Sequence, residues 1–188
     1  MKKYFPYIIA AFIGIGLTGY GQSSPAKGDL KVVFIRHGEK PEKGSNLTCK
    51  GLNRSKMLPA LIAKKFGVPD FLYVPSLGLG EKTKHARMFE TVIPLAVKYN
   101  LDIDSKYEEH DSTGIANDIM QKKGTVLITW EHKAINGILH ALSAKFNVKY
   151  DFKWNDDDYD TILIVTIKDG KAVLTKDSEG LNPGEECE

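Results

Sequence analysis

Apolar and polar positions switch between two periods along most of the chain. Residues 30–35 form an apolar run broken only by Lys31 and rich in branched side chains, the pattern of a strand buried on both faces of a parallel sheet. A polar loop over 38–46 follows. Thr48 then stands where it can cap a helix running to about residue 66, with Leu52, Leu58, Leu61 and Ile62 as its apolar positions. Pro59 predicts a kink in that helix or a split into two shorter ones. Residues 71–74 read as a second short strand ended by Pro75, and the loop 76–83 carries Gly78 and Gly80. The spacing of Met88, Val92, Leu95 and Ala96 predicts a helix over 84–99. A weak third strand over 101–107, a short helix over 113–121 and a fourth strand over 125–130 come next. Ile135, Ile138, Leu139 and Leu142 make the apolar stripe of a helix over 134–146. Finally, apolar runs at 161–167 and 172–175 flank Asp169-Gly170, a strong hairpin signal.

Strands that alternate with helices and end in a hairpin predict an α/β fold. The expected architecture is a three-layer sandwich, a mostly parallel mixed sheet flanked by helices. In such sheets ligands sit outside the carboxyl ends of the strands.

The start of the chain carries a different pattern. Lys2 and Lys3 precede an apolar run of about eleven residues, 7–17, followed by small residues that include Gly19 and Gly21. This is the pattern of a secretory signal peptide, and the run falls short of the roughly 20 apolar residues of a spanning helix. The expected organisation is a leader over 1–21, a linker over 22–28 and one domain over 29–188, periplasmic or secreted. An uncleaved anchor is the alternative, and the lack of a cysteine near the leader argues against a lipoprotein. With no later long apolar run, no membrane contact is expected after cleavage. Export also changes the reading of the two cysteines. Cys49 and Cys187 could pair and tie the tail to the start of the first helix, or remain two thiols with Cys187 on a frayed tail. Neither has metal-site spacing. Asn46-Leu47-Thr48 and Asn53-Arg54-Ser55 match the glycosylation sequon, which matters only in a eukaryotic secretory route.

The chain has 188 residues, with 26 basic and 24 acidic ones, and loss of the leader leaves 24 of each. That balance sets aside a strongly electrostatic nucleic-acid binder. The chemistry-bearing residues gather instead at the predicted strand ends. The first strand runs into Arg36-His37-Gly38-Glu39, and the fourth into Trp130-Glu131-His132. The loop after the second strand leads to His85-Ala86-Arg87 at a helix start, where free N–H groups attract anions. Two arginines and two histidines from different connections would converge on one anion pocket.

These segments resemble the histidine phosphatase superfamily, which has the phosphoglycerate mutase-like fold. Val-Phe-Ile-Arg-His-Gly-Glu at 33–39 looks like its Arg-His-Gly motif, and Leu47-Thr48-Cys49-Lys50-Gly51 looks like its Leu-Thr-x-x-Gly segment. Lys84-His85-Ala86-Arg87 with Thr91 resembles the segment that supplies the second arginine, and Thr129-Trp130-Glu131-His132 the one that supplies the second histidine. The resemblance implies a nucleophilic His37 that forms a phosphohistidine. Arg36, Arg87 and His132 would hold the phosphoryl oxygens, and water would then hydrolyse the intermediate. It implies no cofactor and no metal.

The resemblance is weakest at the proton donor. One branch of the family places an aspartate directly after the second histidine, where this chain has Lys133. Another uses a glutamate after the third strand, where Glu108, Glu109 and Asp111 fall, and Glu109 is the choice here. Glu39 and Lys40 line the pocket mouth or form a surface ion pair. Asn155-Asp156-Asp157-Asp158 reads as a solvated loop, with cation binding or exclusion of anionic substrates as alternatives. The expected activity is phosphomonoester hydrolysis. Mutases of the family carry insertions that this short chain lacks. The expected substrate is a phosphorylated small molecule or a cell-surface phosphate ester. The alternatives are a catalytically weak anion-binding domain of the same fold and a metallohydrolase using His37, His132 and a carboxylate.

Overall fold

A computed structural model describes residues 29–146 and 151–187. The leader and linker expected over 1–28 lie outside the described residues. In chain order the elements are β1 (Leu30–Arg36), α1 (Cys49–Phe66), β2 (Phe71–Tyr73), α2 (Ala86–Tyr99), β3 (Ile103–Asp104), α3 (Ser112–Ile119), β4 (Gly124–Trp130), α4 (His132–Phe146), β5 (Thr161–Lys168) and β6 (Lys171–Ser178). Among the described residues the six strands form one sheet in the order β3-β2-β4-β1-β5-β6. β1, β2, β3 and β4 run parallel, while β5 is antiparallel to both β1 and β6. This is the predicted three-layer α/β sandwich.

The alternation of side chains along each strand divides the core in two. Val32, Phe34, Val126, Ile128 and Trp130 face α3 and α4, meeting Ile115, Ile119, Ile135, Ile138 and Leu142. Val33, Ile35, Leu72, Leu127 and Ile162 face α1 and α2, meeting Leu58, Ile62, Met88, Val92 and Leu95. β1 is therefore buried on both faces and hydrogen-bonded on both edges, as its near-continuous apolar run requires.

One expectation is corrected here and two open alternatives are decided. Of the kink or split predicted at Pro59, the split is absent: α1 is one continuous helix. Proline removes one backbone donor, but Leu58 and Ile62 on either side of it are fully buried, and the Tyr99 hydroxyl donates to the Pro59 carbonyl (3.4 Å). The third strand is two residues long, not seven. Beyond it the Asp104 side chain accepts from Lys106 N (3.1 Å) and turns the chain. The cysteines are paired, Cys49 with Cys187, and the tail is not frayed: Asn53 Nδ2 donates to the carbonyls of Gly184 (3.0 Å) and Glu186 (2.6 Å). The Asn53 amide of the second sequon is thereby buried.

The hairpin follows its signal. Asp169 and Gly170 both have positive φ (49° and 74°), the requirement of a two-residue turn between twisted strands.

Candidate active site

The parallel register sets the site. Arg36 pairs with Trp130, so β1 and β4 end at the same level, and the His37 amide continues the ladder by donating to the Trp130 carbonyl (3.2 Å). Arg36 and His37 leave the sheet at its centre. His132, which the sequence placed at the end of the fourth strand, is the first residue of α4. The carboxylate of Glu131 caps that helix, accepting from Lys133 N (2.6 Å) and Ala134 N (3.1 Å). Arg36, His37 and His132 are all nearly inaccessible, at 1%, 1% and 3% exposed.

The loop after His37 is held by backbone approach and one hydroxyl. A Cβ on Gly38 would lie 2.9 Å from the Gly51 carbonyl oxygen, and one on Gly51 only 2.5 Å from that of Glu39. The two glycines let the first turn of α1 press directly on the loop, which explains the Leu-Thr-x-x-Gly segment. Thr48 caps this helix (Gly51 N to Thr48 Oγ1, 3.1 Å), and its own amide donates to the Glu39 carbonyl (2.9 Å). Buried Thr91 of α2 accepts from Gly38 N (2.9 Å) and donates to the Arg87 carbonyl (2.6 Å), tying the second arginine's helix to the first histidine's loop.

His37 is poised by this packing. Nδ1 donates to the Gly38 carbonyl (2.7 Å), which fixes the tautomer and leaves Nε2 with its lone pair. Burial, together with the positive charges of Arg36, Arg87 and Lys40, pushes its pKa down to about 3. The imidazole is neutral at any physiological pH.

The cations around it are not satisfied by the protein alone. Arg36 donates from Nη1 to the carbonyls of Asp156 (2.6 Å), Asp158 (3.1 Å) and Asn155 (3.4 Å), and its guanidinium stacks 3.9 Å over the Tyr159 ring. Its Nε and Nη2 are buried and find no hydrogen-bond partner among the described residues, and the same holds for Arg87 Nε. Arg87 Nη1 donates to the Gly44 carbonyl (3.2 Å). Buried N–H groups on charged arginines without acceptors are costly, and an anion is the acceptor they fit.

His132 Nε2 bonds Asp156 Oδ1 (2.7 Å); its Nδ1 lies 2.6 Å from Glu131 Oε1 without hydrogen-bond geometry. Residues 155–159 thus form a strap across the site. The acidic run is a loop exposed at Asn155, Asp156 and Asp157, as the solvated reading expects, but its carbonyls and the Asp156 and Asp158 carboxylates are also committed to the site and its anchoring. Asp158 accepts from Asp160 N, Thr161 N and the Thr161 hydroxyl, anchoring the start of β5, and its carbonyl serves Arg36 and the Trp154 indole. Tyr159 and the strap carbonyls were missed by sequence reasoning. Backbone acceptors leave no side-chain signature to read.

Glu109 stands at the same edge of the sheet. Its carbonyl accepts from the Trp130 indole (2.9 Å), and its carboxylate faces His85 Nδ1 (3.4 Å), two residues before Arg87, and His110 Nε2 (3.7 Å). Glu108 and His110 are exposed. Asp111 is occupied as the cap of α3, accepting from Gly114 N (2.8 Å). Glu39 does not pair with Lys40. Both its oxygens accept from Arg54 Nε (3.1 and 3.0 Å), and Arg54 Nη1 also donates to buried Glu179 (2.5 Å). His140 is exposed on α4.

No family model matches the chain, and no curated protein matches it by sequence. Two phosphatases are among the solved structures that share its fold. A mutant phosphoserine phosphatase from Entamoeba histolytica in complex with phosphoserine aligns over 80% of this chain and 97% of its own, with a TM-score of 0.51 and 13% identity. A putative phosphohistidine phosphatase SixA from Agrobacterium tumefaciens aligns over 79% and 96%, with a TM-score of 0.52 and 16% identity. At these identities the likeness is one of fold, and the fold is phosphoglycerate mutase-like.

Proposed function

We propose that this chain is an exported phosphomonoester hydrolase that works through a phosphohistidine on His37. One observation carries the reading: a neutral imidazole with a free Nε2 sits among buried arginine N–H groups that lack an acceptor. A phosphoryl group supplies those acceptors and offers Nε2 an electrophile. Arg36, Arg87 and His132 hold the equatorial oxygens as charge shifts during transfer. A carboxyl at the rim, from Glu109 or Asp156, serves the leaving group. The fold neighbours support the coarse activity, since one is a phosphoserine phosphatase and the other a putative phosphohistidine phosphatase. The leader pattern and the Cys49–Cys187 bond support a periplasmic or secreted location. The substrate class is a phosphorylated small molecule or a cell-surface phosphate ester, and the reaction needs no metal or cofactor.

The test is turnover of 4-nitrophenyl phosphate with chelator present, wild type beside His37→Ala. Turnover by wild type alone, with folded His37→Ala inactive, supports the reading. The closed strap and the Asp156 carboxylate on His132 favour a second reading, a weakly active anion-binding domain. Phosphate binding without turnover in either protein would support that one.

A further inference from the structure

Asp156 makes two contacts that no other strap residue combines. Its carbonyl accepts from Arg36 (2.6 Å), and its carboxylate bonds His132 Nε2 (2.7 Å). These are the two side chains that the functional reading assigns to the phosphoryl oxygens. The Asp156 side chain is 77% exposed, so its carboxyl is open to solvent on the side away from His132. Glu109 points its carboxylate at His85 and His110 instead. Lys133 fills the position after the second histidine, and its ammonium lies 3.5 Å from Asp156.

We propose that Asp156 is the proton donor to the leaving group, and that substrate arms it by taking over its hydrogen bond from His132. This rests on the phosphohistidine reading. The charged groups around the carboxyl are His132 and Lys133 of α4, Glu131 beside His132, Arg36 at the end of β1, and Asp157 and Asp158 on its own strap. At rest the carboxyl is held below the usual carboxylate range, first by the His132 bond and then by Lys133. A phosphoryl oxygen that claims His132 removes the first of these and brings a dianion alongside. Both changes raise the proton affinity of Asp156. The group that is ionised in the empty site takes up a proton when the site fills.

The chemistry then balances. The Nε2 lone pair of His37 forms a bond to phosphorus as the bond to the ester oxygen breaks. The Asp156 proton passes to that oxygen, and the alcohol leaves. In the second half water adds to phosphorus, the N–P bond returns its pair to His37, and the Asp156 carboxylate accepts the water proton.

The experiment compares wild type, Asp156→Asn, Asp156→Glu and Glu109→Gln on two substrates. 4-Nitrophenyl phosphate has a leaving group that needs no proton, and glycerol 2-phosphate has an alkoxide that does. Asp156→Asn is expected to lower kcat/KM, which reports the steps up to loss of the alcohol and not hydrolysis of the phosphohistidine, by about 100-fold or more on the alkyl ester and to leave kcat/KM on the aryl ester little changed. Asp156→Glu restores part of the alkyl activity. Inorganic phosphate, measured by calorimetry, binds Asp156→Asn more tightly than wild type because the amide oxygen is a weaker competitor for His132 and no longer repels the anion. Equal losses on both esters, no loss on either, unchanged phosphate affinity, or a leaving-group-dependent loss in Glu109→Gln would each overturn the assignment. Aryl activity that survives in His37→Ala, or is absent from wild type, overturns the parent reading and this one with it. Neither of those results involves residue 156, so the two failures are distinguishable.

Discussion

Acid should weaken this protein through one residue, and the size of the effect follows from the site. His37 is buried, donates Nδ1 to the Gly38 carbonyl, and has a pKa pushed down to about 3, against about 6.5 in an unfolded chain. The folded state therefore favours the neutral ring. Its contribution to stability is fully present above pH 6.5, erodes as pH falls below that value, and is gone by about pH 3. Each pH unit across that window is worth about 1.36 kcal/mol, so the full effect approaches 5 kcal/mol and the loss by pH 5 is about 2 kcal/mol. Against a domain stability of roughly 5–15 kcal/mol, that loss is readily measured. The perturbation is His37→Asn, whose side-chain N–H can replace Nδ1–H toward Gly38 but does not titrate. Urea unfolding of both proteins at pH 8 and pH 5 isolates the term, since the other titrating groups are shared. Wild type should lose about 2 kcal/mol more than the variant. Parallel losses, or an NMR titration of the His37 ring near pH 6.5, would refute the account of the neutral nucleophile.

Three further outcomes follow from packing. Gly51→Ala gains about 1 kcal/mol on helix propensity, yet its Cβ meets the Glu39 carbonyl at 2.5 Å, so a net loss of about 1–3 kcal/mol is expected by urea melt, with a fall in kcat as the His37 loop shifts. Cys187→Ser opens a bond spanning 138 residues and should cost about 2–5 kcal/mol, read as the same drop that reductant causes in wild type. Burial pushes Glu179 up to about 8 despite Arg54, because Glu39 already answers that guanidinium. Glu179→Gln should therefore be within about 1 kcal/mol of wild type at pH 6 by thermal melt, since the amide replaces a carboxyl that is already protonated there.

The sheet was legible because its strands are buried on both faces and carry little else than apolar side chains. β1, β4 and the β5–β6 hairpin fall within a residue or a few of their predicted spans. The start of α1 was legible through Thr48, but its continuity through Pro59 was not, since packing of Leu58 and Ile62 decides it. β3 was overextended because its apolar residues serve the core from a turn as well as from a strand. At the site, Arg36, His37, Arg87 and His132 could be found because their chemistry shows in their side chains and their positions fall at strand ends. The strap could not. It engages Arg36 through carbonyl oxygens that every residue type possesses, and its aspartates look the same whether they face water or His132. The cysteine pairing depended on where residues 182–187 travel, and one-dimensional spacing does not give that.

The place of β1 in the sheet has a consequence for the time course of amide hydrogen exchange. Its N–H groups are shared with β4 on one edge and β5 on the other, so they exchange with solvent only when the whole sheet opens. His37 inherits that protection through its bond to Trp130. The strap is held by bonds to Arg36 and His132 and by the Asp158 contacts to Asp160, Thr161 and Trp154, and none of these belongs to a strand ladder. Deuterium should therefore enter residues 155–159 orders of magnitude sooner than it enters 30–37. The cover can breathe at catalytic rates while the dipeptide beneath it stays as fixed as the centre of the fold.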